Sequence, residues 1–386
     1  MISRKIAVIT GSRAEYGLLE PIIALISESR ETELQLVVTG SHFSKNHGNT
    51  ISQIRDDGFL DFDEVDIPEQ YQNEGNIGKA VSEGISRFTY LFKKNMPDLI
   101  LILGDRFEIF SVAIAACFIK IPIAHVHGGE ITLGSFDDYI RHSITKLSHL
   151  HFASTEEYKK RICQLGEPPN RVFNYGSLGV ENILSKTLLS KQSVEKLLGV
   201  KFHAKNILVV IHPETLGLKP EVFMPHFFDA ISEFKDIQFF FTFSNCDPGG
   251  DFINQSIVEF CSKNNNSLFF RNLGTINFLS LMSQVDGIIG NSSSSIIEAP
   301  TLKIGSINIG LRQQGRIKAL SVLDCKWDKK SIIDALVKLY SKVFQDSLKK
   351  VVNPYQQADS AKRIFDVIKK FNIENICQKK FHDLHK

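Results

Sequence analysis

Short apolar runs alternate with amphipathic stretches along most of the chain. The first half contains six strand-like runs, at residues 6–10, 34–39, 99–103, 121–126, 151–154 and 172–175. Between them lie stretches with helical periodicity, at residues 15–27, 79–94, 108–118, 137–148 and 155–165. Continuous apolar runs are typical of strands that are covered on both faces. The alternation of strand and helix therefore predicts an α/β fold with a parallel sheet and right-handed crossovers.

The same pattern starts again in the second half. Strand-like runs lie at residues 206–211, 237–243, 267–271, 287–289 and 304–308, and helical patterns lie at 221–234, 252–263, 277–283 and 294–298. The glycine-marked segment 176–179 and a last helical pattern at about 356–371 divide the chain. We therefore predict domains at residues 1–176 and 177–354, followed by a C-terminal helical segment at 355–386. Two doubly wound domains facing a central cleft would bind a ligand at the carboxyl ends of their strands.

Composition and charge exclude several classes of protein. The 386 residues carry a formal net charge of +2 without a basic cluster, which argues against a nucleic-acid-binding protein. With 43% hydrophobic and 23% charged residues, the chain is a globular protein rather than a disordered one. No apolar run reaches the roughly 18–20 residues of a membrane span. The six cysteines are scattered without a C-x-x-C motif, so we expect reduced thiols and a cytoplasmic protein.

Polar residues follow the predicted strands of the first half. Arg13 lies in the turn 11–17, where small residues and a helix N-terminus suit an anion, although a plain surface turn fits equally well. Asp105 follows the run 99–103 and is either a base or ribose contact in the site or a helix cap. Asp137 at a helix start is an acid/base candidate, or the partner of Arg141 in a helix-surface ion pair.

The segment 125–130 reads His-Val-His-Gly-Gly-Glu. Strand alternation would place His125 and His127 on one face, as a pair of zinc ligands requires. A catalytic zinc site usually has three protein ligands, and no third ligand follows at a metal-like spacing. We therefore expect hydrogen-bonded histidines without a metal, and a close backbone approach at the two glycines.

The strongest single signal of the second half is the segment 290–298, Gly-Asn-Ser-Ser-Ser-Ser-Ile-Ile-Glu. It joins a strand to a helix through small hydroxyl residues, so that backbone N–H groups and hydroxyls can face an anion. Glu298 could accept hydrogen bonds from the two hydroxyls of a sugar. The alternative is a serine-rich helix N-cap with an acid favoured by the helix dipole. His212 and Asn245 end two other strands of this half.

Taken together, these segments resemble the hydrolysing UDP-N-acetylglucosamine 2-epimerases of sialic acid biosynthesis. The resemblance covers about residues 6–371 and rests on the motifs at 11–17, 104–108, 125–130, 137–146, 290–298 and 312–316. It implies the two-domain fold of GT-B glycosyltransferases, with UDP in the cleft between the domains. It also implies that the last helix packs back on the N-terminal domain.

The resemblance further implies roles for individual residues. Contacts to UDP or the sugar are implied for Arg13, Arg106, Asn245, Phe278, Ser292, Ser293, Glu298 and Arg312, with Phe278 stacked on uracil and Glu298 on the ribose. Catalytic roles are implied for Asp105, Asp137 and His212. Relatives carry a third acid in an H-x-E-G-G motif, and His127 stands at its position here. Either His127 or Glu130 would then take that role, since histidine is a competent base near pH 7.

The implied reaction is elimination followed by hydration. UDP leaves C1 of UDP-GlcNAc as C2 loses its proton, and water adds to the resulting glycal to give N-acetylmannosamine, without a cofactor or a metal. The same reaction on UDP-2,4-diacetamido-2,4,6-trideoxyglucose, for legionaminic acid, is an alternative. A non-hydrolysing epimerase, a GT-B glycosyltransferase and a non-catalytic UDP-sugar binder also remain open. We expect a homo-oligomer, either a dimer or a tetramer, that acts on a UDP-sugar.

Overall fold

The computed structural model describes residues 3–43, 50–67, 76–244 and 248–384. Its contacts divide the chain into two compact units. Unit 1 comprises Met1–Glu130, Asp137–Glu181 and Gln357–Lys386, and unit 2 comprises Ile131–Phe136 and Asn182–Gln356. The sequence-based division placed residues 1–176 in one domain and did not predict that Ile131–Phe136 belong to unit 2.

The described residues form thirteen strands and fifteen α-helices. The strands are β1 (Arg4–Thr10), β2 (Thr32–Thr39), β3 (Asp63–Val65), β4 (Leu99–Leu103), β5 (Ile123–Val126), β6 (Leu150–Ala153), β7 (Val172–Asn174), β8 (Lys205–Val210), β9 (Ile237–Thr242), β10 (Ser267–Phe270), β11 (Gly287–Gly290), β12 (Gly305–Ile309) and β13 (Val322–Cys325). The helices are α1 (Arg13–Glu28), α2 (Ile51–Asp56), α3 (Ile77–Lys94), α4 (Phe107–Ile119), α5 (Asp137–Leu147), α6 (Glu156–Gln164), α7 (Leu178–Ser185), α8 (Lys191–Leu198), α9 (Pro220–Ile231), α10 (Gly250–Lys263), α11 (Gly274–Met282), α12 (Ser294–Ile297), α13 (Lys329–Leu339), α14 (Lys342–Leu348) and α15 (Ser360–Lys370).

Each unit is built on one parallel sheet. The sheet of unit 1 has the order β3-β2-β1-β4-β5-β6-β7, and the sheet of unit 2 has the order β10-β9-β8-β11-β12-β13. The strand order reverses between β1 and β4 in the first sheet and between β8 and β11 in the second. In open α/β sheets these switch points are where ligands bind, at the carboxyl ends of the strands. The predicted fold class of two doubly wound α/β domains is therefore confirmed.

Burial on both faces explains why the sequences of the central strands are apolar throughout. In β4 the side chains of Leu99, Leu101 and Leu103 join a core that includes α1 and α15. Those of Ile100 and Ile102 point to the opposite face and join the core of α3 and α4. A strand with helices on both faces must be apolar at every position, which is why its sequence does not alternate.

The C-terminal helix returns to unit 1, as the family resemblance implies. Ile364 and Ile368 of α15 are buried in the core that contains α1, and Arg4 donates a hydrogen bond to the Ile368 carbonyl at 2.6 Å. No helix among the described residues has both the length and the apolar character needed to cross a lipid bilayer.

The elements that the sequence pattern did not predict are short or polar. The strands missed are β3 and β13, which lie at sheet edges and contain acidic residues. The helices missed are α2, α7, α8, α13 and α14, which have between 6 and 11 residues. An edge strand is covered less than a central one, so its sequence lacks the continuous apolar run on which the prediction depended.

Candidate active site

The turn between β1 and α1 lies at the switch point of unit 1. Ser12 caps α1, since its hydroxyl accepts a hydrogen bond from the Glu15 amide at 3.3 Å. Arg13 is the first residue of the helix, and burial lowers the pKa of its guanidinium. The structure therefore places Arg13 at the strand end where the sequence expects an anion, and its contact with a phosphate stays a prediction.

A buried pair of glutamates lies behind this turn, and sequence reasoning missed it. Glu15 and Glu108 are 6% and 0% exposed. Arg106 donates through Nε and Nη2 to the two carboxylate oxygens of Glu108, at 3.2 Å each, and its Nε lies 4.0 Å from Glu15 Oε1. The Gly11 amide donates to Glu15 Oε2 at 2.7 Å. Arg106, which the resemblance assigns to UDP or the sugar, therefore also pairs with protein carboxylates.

Burial raises the pKa of Glu15 to about 8, and the nearby Glu108 carboxylate adds to this effect while Arg106 opposes it. Both glutamates belong to motifs that the sequence singled out. However, linear spacing gives no sign that residue 15 lies beside residue 108. Only the pairing of β1 with β4 brings the two segments together.

Arg141 of α5 gathers the acidic groups at the next strand end. It donates to the Asp105 carboxylate, to Asp138 Oδ1 at 3.0 Å and to the Glu130 carbonyl at 3.0 Å. Because Arg141 is 1% exposed, its guanidinium does not lie on the helix surface, where the ion-pair alternative placed it. The buried guanidinium instead ties the end of β4 to the start of α5, where Asp137 is the first residue.

His127 and Glu130 are brought together directly after β5. His127 Nδ1 lies 3.5 Å from Glu130 Oε1, and that oxygen also accepts from the Ser154 hydroxyl at 2.8 Å. The backbone φ of His127 is +66°, a left-handed conformation that is uncommon outside glycine and is often found at functional sites. Since β5 ends at Val126, strand alternation does not govern the direction of His127, and the expectation based on it is wrong.

His125 is a buried histidine that hydrogen-bonds within the core. Its Nε2 lies 2.8 Å from the Gly104 carbonyl and its Nδ1 lies 3.3 Å from the Thr145 hydroxyl. Burial lowers the pKa of its imidazole to about 3, so the ring is neutral near pH 7. Among the described residues, no group of three or more His, Cys, Asp or Glu side chains is arranged to hold a metal ion.

The two glycines that follow allow the chain to approach its own helices. A Cβ at Gly128 would lie 3.0 Å from both His125 Nδ1 and Thr145 Oγ1. Gly129 has a φ of +79°, and a Cβ there would lie 2.5 Å from the Tyr158 carbonyl of α6. The close approach that the sequence predicted is therefore made to the protein's own side chains and backbone.

Asn291 organises the switch point of unit 2. Its side chain accepts from the His212 amide and donates to the His212 carbonyl, both at 2.8 Å. Its own carbonyl accepts from Arg312 Nη1 and from Gln313 Nε2, both at 3.0 Å. Asn291 is fully buried, so this one residue connects the chain segments that follow β8, β11 and β12. The sequence singled out its motif but gave Asn291 no role.

The other predicted nucleotide contacts of unit 2 that the structure describes lie around α12 and in α11. Ser292 is buried, and its hydroxyl accepts from the Ser294 amide at 3.3 Å. Ser293 is the N-cap residue of α12, whereas Glu298 follows the end of that four-residue helix instead of lying within it. Phe278 is a partly buried residue of α11. Their roles stay predictions, and Asn245 lies outside the described residues.

Glu214 is a second positioning group that sequence reasoning missed. Its Oε1 accepts from the Leu311 amide and from the Trp327 indole, both at 2.9 Å. The left-handed Gly310 leaves room for this carboxylate, since a Cβ there would come within 2.1 Å of Oε1. Glu214 therefore fixes the start of the loop that carries Arg312. His212, two residues before Glu214, has its Nδ1 3.3 Å from the Ser244 hydroxyl.

Two parallel α/β units, each with polar groups collected at the switch point of its sheet, define a two-domain α/β protein of the doubly wound class. A model of the family described as UDP-N-acetylglucosamine 2-epimerase matches residues 25–369, and the chain belongs to this family.

Individual relatives are similar over the full length. The polysialic acid biosynthesis protein P7 of Escherichia coli is 41% identical over 99% of this chain and 98% of its own length. The hydrolysing GDP/UDP-N,N'-diacetylbacillosamine 2-epimerase of Campylobacter jejuni is 38% identical, with both chains fully covered. A solved structure of the Neisseria meningitidis UDP-GlcNAc 2-epimerase bound to UDP-GlcNAc superposes with a TM-score of 0.79. It covers 94% of this chain and 99% of the other at 18% identity, which bears on the fold alone.

Proposed function

We propose that the protein is a hydrolysing UDP-GlcNAc 2-epimerase, which converts UDP-GlcNAc and water to UDP and N-acetylmannosamine. The observation that carries this proposal is the cluster around Arg141. One buried guanidinium holds Asp105 and Asp138 and the backbone of Glu130, beside Asp137. Such a cluster supplies acid and base groups at one strand edge, as proton removal and water addition require.

The reaction begins at C2 of the sugar, whose proton is poorly acidic. A base among Asp105, Asp137 and the His127–Glu130 pair removes this proton, and the C1–O bond to UDP breaks with its electron pair leaving on the diphosphate. A glycal forms between C1 and C2. Water then adds its hydroxyl at C1, and C2 receives a proton on the opposite face, which inverts that carbon and gives the free sugar.

Departure of UDP drives the first step, so groups that stabilise negative charge contribute to the rate. In this proposal Arg13 contacts the diphosphate, with His212, Ser292 and Ser293 beside it, and Arg312 contacts UDP or the sugar. Further contacts to UDP or the sugar come from Arg106, Asn245, Phe278 and Glu298. The buried bonds of Asn291 support this assignment, because they hold the His212 backbone and the Arg312 guanidinium at the switch point of unit 2. Preorganised groups of this kind avoid a reorganisation cost during the reaction.

A second candidate substrate is the UDP-linked 2,4-diacetamido-2,4,6-trideoxy sugar named for the Campylobacter jejuni relative. The identity of 38% to that protein supports it almost as well as the 41% identity to the Escherichia coli protein supports sialic acid synthesis. Both substrates would use the same groups at C1 and C2. They differ at C4 and C6, where a hydroxyl is exchanged for an acetamido group and a hydroxyl is removed.

Incubation of the protein with each UDP-sugar in D2O tests the proposal. We expect free N-acetylmannosamine carrying deuterium at C2, together with UDP, identified by NMR and mass spectrometry. A UDP-linked product would identify a non-hydrolysing epimerase. Turnover confined to the diacetamido sugar would support the second candidate, and the absence of C2 exchange with either sugar would contradict both.

A further inference from the structure

The chain between two candidate acid/base residues belongs to the other unit. Glu130 and Asp137 are part of unit 1, whereas the six residues Ile131–Phe136 that join them are part of unit 2. We call these six residues the connecting segment. Its conformation determines where α5 begins, because Asp137 is the first residue of that helix and directly follows the segment.

Hydrogen bonds within unit 2 hold the connecting segment on both sides. On one side, the Leu133 amide donates to the Gln314 carbonyl at 3.1 Å. On the other side, the Leu216 amide donates to the Gly134 carbonyl at 3.1 Å. The Thr215 hydroxyl then accepts from the Phe136 amide at 3.1 Å.

Close packing reinforces these hydrogen bonds. A Cβ at Gly134 would lie 2.7 Å from the Arg312 amide nitrogen and the Leu311 carbonyl carbon, so the backbone fits there only without a side chain. Gly315 has a φ of +95°, and a Cβ there would lie 2.4 Å from Ile131 Cγ2. The connecting segment therefore fits against the loop after β12 with no room for a larger residue.

Both loops that hold the segment carry proposed contacts to the nucleotide. Thr215 lies three residues after His212, and Gln314 lies two residues after Arg312. Asn291 and Glu214 hold these loops in place through buried hydrogen bonds. Within unit 2, the connecting segment is thus anchored to the loops that follow His212 and Arg312.

We propose that Thr215 is a positioning residue for the reaction, a role that rests on the proposed function. Its hydroxyl accepts a hydrogen bond from the Phe136 amide, and this fixes the backbone directly before Asp137, the first residue of α5. In this role Thr215 acts through the backbone and is assigned no contact with the sugar or the diphosphate. The same hydroxyl donates to the Ser135 hydroxyl at 3.3 Å. Since a displacement of about 1 Å in a reacting group can lower a rate by about 10²-fold, the loss of these two hydrogen bonds would affect turnover.

The test compares Thr215→Val, which removes the hydroxyl, with Thr215→Ser, which retains it. We expect the Val variant to keep its UDP affinity within about twofold in calorimetry and to lose about tenfold or more in kcat. The Ser variant should recover kcat to within about threefold of the wild type. Thr187→Val, at an exposed position of the same unit, is the matched control and should behave as the wild type.

Other results would overturn the inference. Unchanged kcat in Thr215→Val, or equal losses of UDP affinity and kcat, would contradict a positioning role. Thr215→Ala, which removes the hydroxyl without adding bulk, decides the question if the Val variant does not fold. A wild-type chain that neither binds UDP nor turns over either UDP-sugar would contradict the proposed function, and the role of Thr215 with it.

Discussion

The guanidinium of Arg141 donates a hydrogen bond to the Asp105 carboxylate although the two residues lie 36 positions apart. Asp105 follows β4 and Arg141 lies in α5, so the bond joins two elements of the same unit. Arg141 also donates to Asp138 and to the Glu130 carbonyl. A buried arginine is tolerated because its donors are satisfied in this way, and it keeps the acidic groups close together without strong repulsion.

Removing the Arg141 charge should destabilise the fold as well as the site. Arg141→Met leaves Asp105 and Asp138 without their shared cation, and we expect unfolding in urea to require about 3 kcal/mol less. Arg87→Met is the matched control, since Arg87 pairs with Glu83 on the surface of α3 and should change stability by about 0.5 kcal/mol or less. Equal effects of the two substitutions would contradict the structural role of Arg141.

The carboxylates of Asp105 and Asp137 should carry acid/base chemistry instead of nucleotide binding. Asp105→Asn and Asp137→Asn should each lower turnover by about 10²-fold or more. The affinity for UDP, measured by calorimetry, should stay within about threefold of the wild type, because neither group is assigned to the diphosphate. Asp251→Asn, on the exposed start of α10, is the control. If a variant loses UDP affinity in proportion to kcat, the residue binds the nucleotide and the acid/base assignment is wrong.

The sequence predicts the fold well because central parallel strands are apolar at every position. β4 has the bounds expected from its run of leucine and isoleucine, whereas the polar edge strands β3 and β13 carried no such signal. Several site candidates could be singled out because they lie just after a strand, as Asp105 and His212 do two residues after β4 and β8. The buried bonds of Arg141 and Asn291 join segments that are distant in sequence, so linear spacing does not reveal them.

The pair formed by His127 and Glu130 leaves open which group handles the proton. Glu130 is 2% exposed and His127 is 9% exposed, so the imidazole is the more accessible of the two. If His127 acts, His127→Gln should be the more damaging change and should remove a limb near a histidine pKa from the pH–rate profile. If Glu130 acts, the order reverses. Full turnover in both variants would place the third catalytic group elsewhere.

Two substitutions separate the contacts to UDP from the rest of the site. Arg13→Ala should weaken UDP binding by about tenfold or more, since it removes a charge-assisted phosphate contact. Glu298→Gln should weaken it too while the melting temperature stays unchanged, because the carboxylate is assigned to the ribose. Glu259→Gln, on the surface of α10, is the control. A lower melting temperature with unchanged UDP affinity would support a structural role for Glu298.

Glu15 should make the stability of the fold depend on pH. Its folded pKa of about 8 lies above the ordinary value of 4.5, so the folded state holds a proton that the unfolded state releases. The stabilisation is complete below about pH 4.5 and is lost as the pH rises through 8. The buried His42, His125 and His149 have pKa values lowered from 6.5, so their contributions change mainly below pH 6.5, outside the range in which Glu15 releases its proton.

The experiment measures the free energy of unfolding in urea between pH 6.5 and 8. The wild type should lose stability across this range, whereas Glu15→Gln should lose much less, because an amide has no proton to release and can still accept the hydrogen bond from the Gly11 amide. Glu28→Gln, at the exposed end of the same helix, should keep the slope of the wild type. Parallel curves for the wild type and Glu15→Gln would show that Glu15 ionises normally in the folded protein. In that case Glu15 would be ionised in the folded protein, and its carboxylate and that of Glu108 would both pair with the Arg106 guanidinium.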